Sequence, residues 1–105
     1  MEKKTIEELD DIGNLEYLIY LVNVSLESYK EDVERLKQDV KIYDLELRIL
    51  SRCKTEYKEY NTIVGFIERK AKVFNENRDE NIKELREKEK VVEMLRNVGQ
   101  ELSKI

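Results

Sequence analysis

A hydrophobic heptad repeat runs through most of this chain, from Ile12 to Ala71, without a visible break in register. Fifteen of its eighteen positions are apolar or aromatic. In chain order, one face comprises Ile12, Ile19, Leu26, Val33, Val40, Leu47, Lys54, Asn61 and Glu68, and the other comprises Leu15, Val22, Tyr29, Leu36, Tyr43, Leu50, Tyr57, Val64 and Ala71. A spacing of about 3.5 residues sustained this long is typical of helices that bury a stripe against other helices. The repeat therefore predicts an all-α fold.

The composition supports long helices with charged, solvated faces. Charged residues make up 42% of the chain, well above the ~25% of ordinary globular proteins. The chain has no proline and three glycines, fewer turn residues than a β protein normally needs. A net charge of −4 and a regular apolar pattern argue against intrinsic disorder.

The pattern predicts one all-helical domain over 1–105, a long-helix coiled coil with a C-terminal return helix that forms a helical bundle. Residues 1–14 are expected to form an N-terminal cap or short helix, 15–74 the long helix, and 81–105 the return helix, after a turn beginning at Asn75. A break of the long helix near 23–28 or within 51–62 is left open. A strand over Tyr17–Val24 is the main local alternative, because that segment has high β-propensity.

The long helix predicts a second chain. A helix over 15–74 would be roughly 90 Å long, and a return segment of about 25 residues would cover only part of it. We expect that segment to pack on the C-terminal part of the long helix, and the rest of the seam to bind a second chain, either as a homodimer or with a heteromeric partner. The predicted dimer seam consists of Ile19, Leu26, Val33, Leu36, Val40, Tyr43, Leu47 and Leu50.

Catalytic and metal-binding patterns are weak in this sequence. The chain lacks histidine, so it cannot form Ser-His or Cys-His pairs. Cys53 beside Arg52 and Lys54 is a candidate redox thiol, although a small residue on a helix flank is the commoner role. The acidic and amide residues of 75–81 imitate a calcium loop, but Glu80 stands where that loop needs glycine. We expect no enzyme activity, no cofactor and no metal.

The middle of the chain is locally basic. Residues 51–74 carry six basic and three acidic side chains. Basic side chains bind phosphate, and nearby aromatic rings stack on bases. The candidate partner or nucleic-acid face comprises Arg48, Arg52, Lys54, Lys58, Arg69, Lys70 and Lys72. A salt-bridged helix face is the alternative interpretation, because Glu56, Glu59 and Glu68 dilute the charge.

The sequence favours a non-enzymatic interaction or assembly protein that acts by self-association and by binding a partner helix. The alternative is a small regulator or inhibitor that uses the basic 48–72 face on nucleic acid or on a nucleic-acid enzyme. The expected partners are a second copy of the chain and a further protein. The longest uncharged run, Tyr17–Leu26, is ten residues, and a bilayer span needs ~20. We therefore expect a soluble cytoplasmic or virion-associated protein without a membrane contact.

Overall fold

Two long helices make up the computed structural model, which describes the backbone from residue 6 to residue 105 and the side chains from residue 13 onward. Helix α1 spans Ile6–Glu56 and helix α2 spans Asn61–Ser103. Within the described range there is no strand. The two helices pack against each other as a helical hairpin. The predicted all-α fold, with a long helix and a helix that returns along it, is confirmed.

Helix α1 is continuous where the sequence left a break or a strand open. It runs through 23–28 and through Tyr17–Val24, because the heptad pattern continues there and packing against α2, which buries Val22, outweighs the weak helix propensity of these residues. Gly13 lies inside the helix with an ordinary helical backbone. Within the predicted cap of 1–14, residues 1–5 lie outside the described part of the chain, and 6–14 belong to α1.

The chain reverses at residues 57–60, so the predicted helix over 15–74 is wrong. The Tyr57 amide donates to the Cys53 carbonyl, and the Tyr60 amide donates to the Tyr57 carbonyl, both over 2.9 Å. Tyr60 is extended, with φ −105° and ψ 90°, and α2 begins at the next residue. The break therefore falls in the 51–62 interval that the sequence left open.

Helix α2 is continuous over 75–81, so the predicted turn and the predicted start of the return helix at 81 are also wrong. The amides and acids of this segment lie on an uninterrupted helix instead of a loop. The return helix is 43 residues long and nearly matches the 51 residues of α1. One chain thus covers most of its own long helix.

The core is a single inner seam between the two helices. It buries Val22, Val33 and Leu36 on α1 and Ile67 and Val92 on α2. Tyr43 packs on Phe74 with the ring centroids 6.1 Å apart. The seam is narrow, because each helix of a pair can bury only the stripe that faces its neighbour.

Candidate protein-interaction surface

The eight residues predicted for a dimer seam lie on the side of α1 that faces α2. Val33 and Leu36 are buried, and the other six are half-buried. These side chains are therefore already covered within one chain. Their role in a dimer stays a prediction, but burying them no longer requires a second chain.

Residues 82–105 pack on the first half of α1, which corrects their expected place on its C-terminal part. Lys88 Nζ donates to Asp32 Oδ2 over 2.9 Å. Near the open end of the hairpin, a Cβ built on Gly99 would lie 3.7 Å from Val22 Cγ1. The hairpin topology forces this pairing, because the end of the chain returns to the beginning of α1.

Among the side chains that the structure describes, three ion pairs join the helices at different positions along the hairpin and fix their register. Lys54 pairs with Glu68 near the turn at 3.1 Å, Arg78 pairs with Asp44, and Lys88 pairs with Asp32. In the heptad repeat, Lys54 and Glu68 are polar interruptions of one face. In the folded chain they face each other across the hairpin, while Asn61 is exposed at the start of α2.

The Asp32–Lys88 ion pair shifts the pKa of both side chains. The hydrogen bond from Lys88 lowers the pKa of Asp32 below its ordinary value, assisted by the charges of Lys88 and Arg35 and opposed by desolvation. The same hydrogen bond raises the pKa of Lys88, with Glu84 contributing a second one. Both shifts favour the charged pair, so it stays ionised at neutral pH.

A second heptad stripe runs along α1 on the side nearly opposite to α2, and we call it the outer stripe. Its ten positions alternate in steps of four and three residues, from Tyr17, Leu21, Val24 and Ser28 through Glu31, Arg35 and Gln38 to Ile42, Leu45 and Ile49. All ten are exposed. The six apolar ones are 40–62% exposed. Helix α2 leaves the outer stripe uncovered along its whole length.

The apolar residues of the outer stripe occur only at its two ends. Tyr17, Leu21 and Val24 form one end, and Ile42, Leu45 and Ile49 form the other. Large apolar side chains in a row on a surface usually mark an interaction site. Because their spacing is that of a coiled-coil seam, the occupant that fits them is another helix.

The hairpin brings the predicted basic residues to one end of the molecule. Arg48, Arg52 and Lys54 lie at the end of α1, Lys58 lies in the turn, and Arg69, Lys70 and Lys72 lie near the start of α2, all exposed. We call this part of the surface the turn end.

Aromatic rings accompany these charges at the turn end. Tyr57, Tyr60 and Phe66 are exposed there, and Lys70 Nζ lies 5.7 Å from the centre of the Phe66 ring. Lys54 is engaged with Glu68, so the face is less uniformly basic than the sequence suggests. The sequence identifies these residues, but their arrangement at one end of the molecule depends on the reversal at residues 57–60.

Two further candidate sites from the sequence are the thiol of Cys53 and the 75–81 segment. Cys53 is half-buried on the last turn of α1, and its predicted redox role stays a prediction. The segment 75–81 is helical, which rules out the loop geometry of a calcium site. Across the described side chains, no group of three or more acidic or sulfur ligands is arranged to hold a metal.

Neither helix, over the described residues, is long and apolar enough to cross a membrane. No family model, curated protein or solved structure matches this chain, so its surface chemistry is the basis for inferring its function.

Proposed function

We propose that this protein is a non-enzymatic assembly module that self-associates by burying the outer stripe of α1 against another helix. The observation that carries the proposal is that α1 has two apolar stripes, of which α2 covers only one. Its inner seam is occupied by α2, yet a second stripe with coiled-coil spacing is left exposed. A helix that is apolar on two opposite sides is typical of one with two neighbours.

The magnitudes favour association. Fully burying a large aliphatic side chain is worth about 1.5–3 kcal/mol. The outer stripe exposes six large apolar side chains in each chain. These side chains are 40–62% exposed in one chain, so burying all twelve in a pair would contribute about 9–18 kcal/mol. This is of the same order as the entropic cost of association, which is estimated at about 4–15 kcal/mol. The surrounding charges would then restrict which helix can bind.

Sedimentation velocity at micromolar concentrations tests this proposal. The wild-type chain should sediment as an oligomer, and Leu45→Lys should sediment as a monomer, because it places an ammonium in the contact. Val73→Lys is the matched control, since Val73 is similarly exposed but lies on α2. A monomeric wild-type chain, or a Leu45→Lys variant that associates like wild type, would contradict the proposal.

A second candidate function is nucleic-acid binding by a small regulator through the turn end. The supporting observation is that the hairpin brings exposed basic and aromatic side chains together there. Residues 48–72 carry seven basic and three acidic side chains, and the rest of the chain carries thirteen basic and twenty-one acidic ones. A polarised molecule of this kind would approach a phosphate backbone with its turn end first.

Electrophoretic retardation of short DNA and RNA at low salt tests the second candidate. Binding should weaken steeply with added salt, and Lys58→Glu with Lys72→Glu should weaken it further, because two phosphate contacts are lost. Lys83→Glu is the control, since Lys83 is exposed in the middle of α2. Absence of retardation at low salt would eliminate this function.

For either function we propose a cytoplasmic location, where a free Cys53 would stay reduced.

A further inference from the structure

The outer stripe has a symmetric sequence, and the symmetry identifies its occupant. Read from either end, it passes from three apolar residues to one small or uncharged polar residue and then to one charged residue. The central charges are Glu31 and Arg35, of opposite sign, and the polar residues beside them are Ser28 and Gln38. Val33 lies at the midpoint of the stripe, on the opposite side of the helix.

We propose that the occupant is a second copy of the chain, bound antiparallel along the outer stripe of α1, with the two-fold axis between Glu31 and Arg35, at the level of residue 33. This inference rests on the proposed function and specifies its partner, direction and register. An interface between identical chains with two-fold symmetry must be complementary to itself, because residue i meets residue j and residue j meets residue i. The outer stripe meets that condition.

In this register every layer is matched in chemical character. The apolar layers, each occurring twice, are Tyr17 with the partner's Ile49, Leu21 with the partner's Leu45, and Val24 with the partner's Ile42. Nearer the axis, Ser28 meets the partner's Gln38, and Glu31 meets the partner's Arg35. Each Glu31–Arg35 contact also occurs twice. The contact extends over about 48 Å of helix, from residue 17 to residue 49.

Other arrangements match poorly. A parallel pair in register would place Glu31 beside the partner's Glu31 and Arg35 beside the partner's Arg35, and like charges in contact are unfavourable. An antiparallel shift by one heptad would place Glu31 against the partner's Ile42, which would bury a carboxylate on an apolar side chain.

The flank of the stripe carries one matched pair, and the exposed side of α2 matches itself less well. In the proposed register Glu27 lies near the partner's Lys41, with opposite charges, while Glu34 on the same flank lies near the partner's Glu34. The exposed side of α2 carries Glu80, Glu84 and Glu87 near its centre. In the corresponding antiparallel register of α2, Glu80 would meet the partner's Asn77 and Glu87 the partner's Lys70, but Glu84 would meet the partner's Val73, so the dimer contact is assigned to α1.

Charge reversal at the axis tests the pairing. Glu31→Arg alone and Arg35→Glu alone each place like charges together twice, so each should raise the dimer dissociation constant by about tenfold or more. The double variant Glu31→Arg with Arg35→Glu restores opposite charges and should return to within a few-fold of wild type. Single variants that dimerise like wild type would overturn the antiparallel register.

Disulfide cross-linking gives the register directly. In a Cys53→Ser background, Ser28→Cys and Gln38→Cys are made as separate chains, and both positions are exposed, so folding should be preserved. Under mild oxidation the mixture should give a covalent dimer containing one chain of each kind, at least about ten times faster than either variant alone. In an antiparallel pair, two copies of residue 28 lie about 15 Å apart along the axis.

The outcomes separate this inference from the proposed function. Rapid cross-linking of Ser28→Cys alone would show a parallel pair and overturn the antiparallel dimer, while self-association through the outer stripe would stand. A wild-type chain that stays monomeric in sedimentation would overturn both.

Discussion

Leu36 has the lowest exposure among the buried side chains, at 3%. A helical pair has a thin core, so each such residue carries a large share of its stability. Leu36→Ala should lower the free energy of unfolding by about 2–4 kcal/mol, from lost transfer energy and the cavity left behind. Urea denaturation followed by circular dichroism measures this change.

Val73→Ala is the matched control for Leu36→Ala. Val73 is exposed on α2, and surface substitutions usually change stability by less than about 0.5 kcal/mol. Similar losses in the two variants would contradict the placement of Leu36 in the inner seam.

The Asp32–Lys88 pair predicts a pH-dependent contribution to stability. Because the folded state lowers the pKa of Asp32, the stabilisation is present above the ordinary carboxyl pKa and is lost as the pH falls through the lowered one. The raised pKa of Lys88 gives stabilisation below the ordinary lysine pKa, lost as the pH rises through the raised one. Asp32→Asn should therefore destabilise the protein at neutral pH, and its difference from wild type should narrow in acid.

Urea midpoints measured at neutral and acidic pH check this prediction. Asp39→Asn is the control, because Asp39 occupies the same heptad position one repeat later. A difference between Asp32→Asn and wild type that stays constant from neutral to acidic pH would refute the assigned role of the pair.

At the scale of the elements, the sequence predicts the inner seam well up to Leu50 and misplaces the residues beyond it. Val64 and Ala71 are half-buried, so this face keeps its seven-residue spacing beyond the reversal, whereas Tyr57 is exposed in the turn. The other face shifts by one residue, from the expected Glu68 to the buried Ile67. Because one face keeps its seven-residue spacing, the heptad pattern does not reveal the turn.

The location of the turn could not be predicted from local residues. Residues 57–60 contain neither glycine nor proline, whereas the amide-rich 75–81 segment resembles a turn and is helical. Reversal at 57–60 lets two seams of similar length cover each other. Tertiary burial of this kind overrides local propensity.

Proline substitution tests the continuity of α2 at the position where the sequence suggested a turn. Glu80→Pro should cost about 3 kcal/mol or more, because proline removes a helical hydrogen bond and clashes with the preceding turn. Glu80→Ala is the control and should be neutral or slightly stabilising. Thermal unfolding followed by circular dichroism makes the comparison. Tolerance of Glu80→Pro would mean that the chain turns at 75–81 after all.

At the scale of the whole molecule, the apolar pattern predicts that α1 packs against more than one helix. In the structure the first of these neighbours is α2 of the same chain, and not a second chain. The residues expected to bind a second chain, such as Val33, are covered by α2. The outer stripe residues, such as Leu45, are exposed. A periodicity shows which sides of a helix are apolar, but not which neighbour belongs to the same chain.

The proposed dimer has a definite size. Its two-fold axis, at the level of residue 33, lies within a few residues of the middle of α1. Two antiparallel hairpins therefore overlap along nearly their full length. The result is a row of four helices, with the two α1 helices in the middle and an α2 on each outer side, about as long as one hairpin, in which α1 is about 77 Å long.

Small-angle X-ray scattering coupled to size-exclusion chromatography and light scattering tests side-by-side dimerisation most directly. We predict a mass twice the 12.6 kDa of one chain, with a maximum dimension close to that of a single hairpin and a larger cross-section. A particle of 12.6 kDa, or a dimer approaching twice the hairpin length, would contradict it.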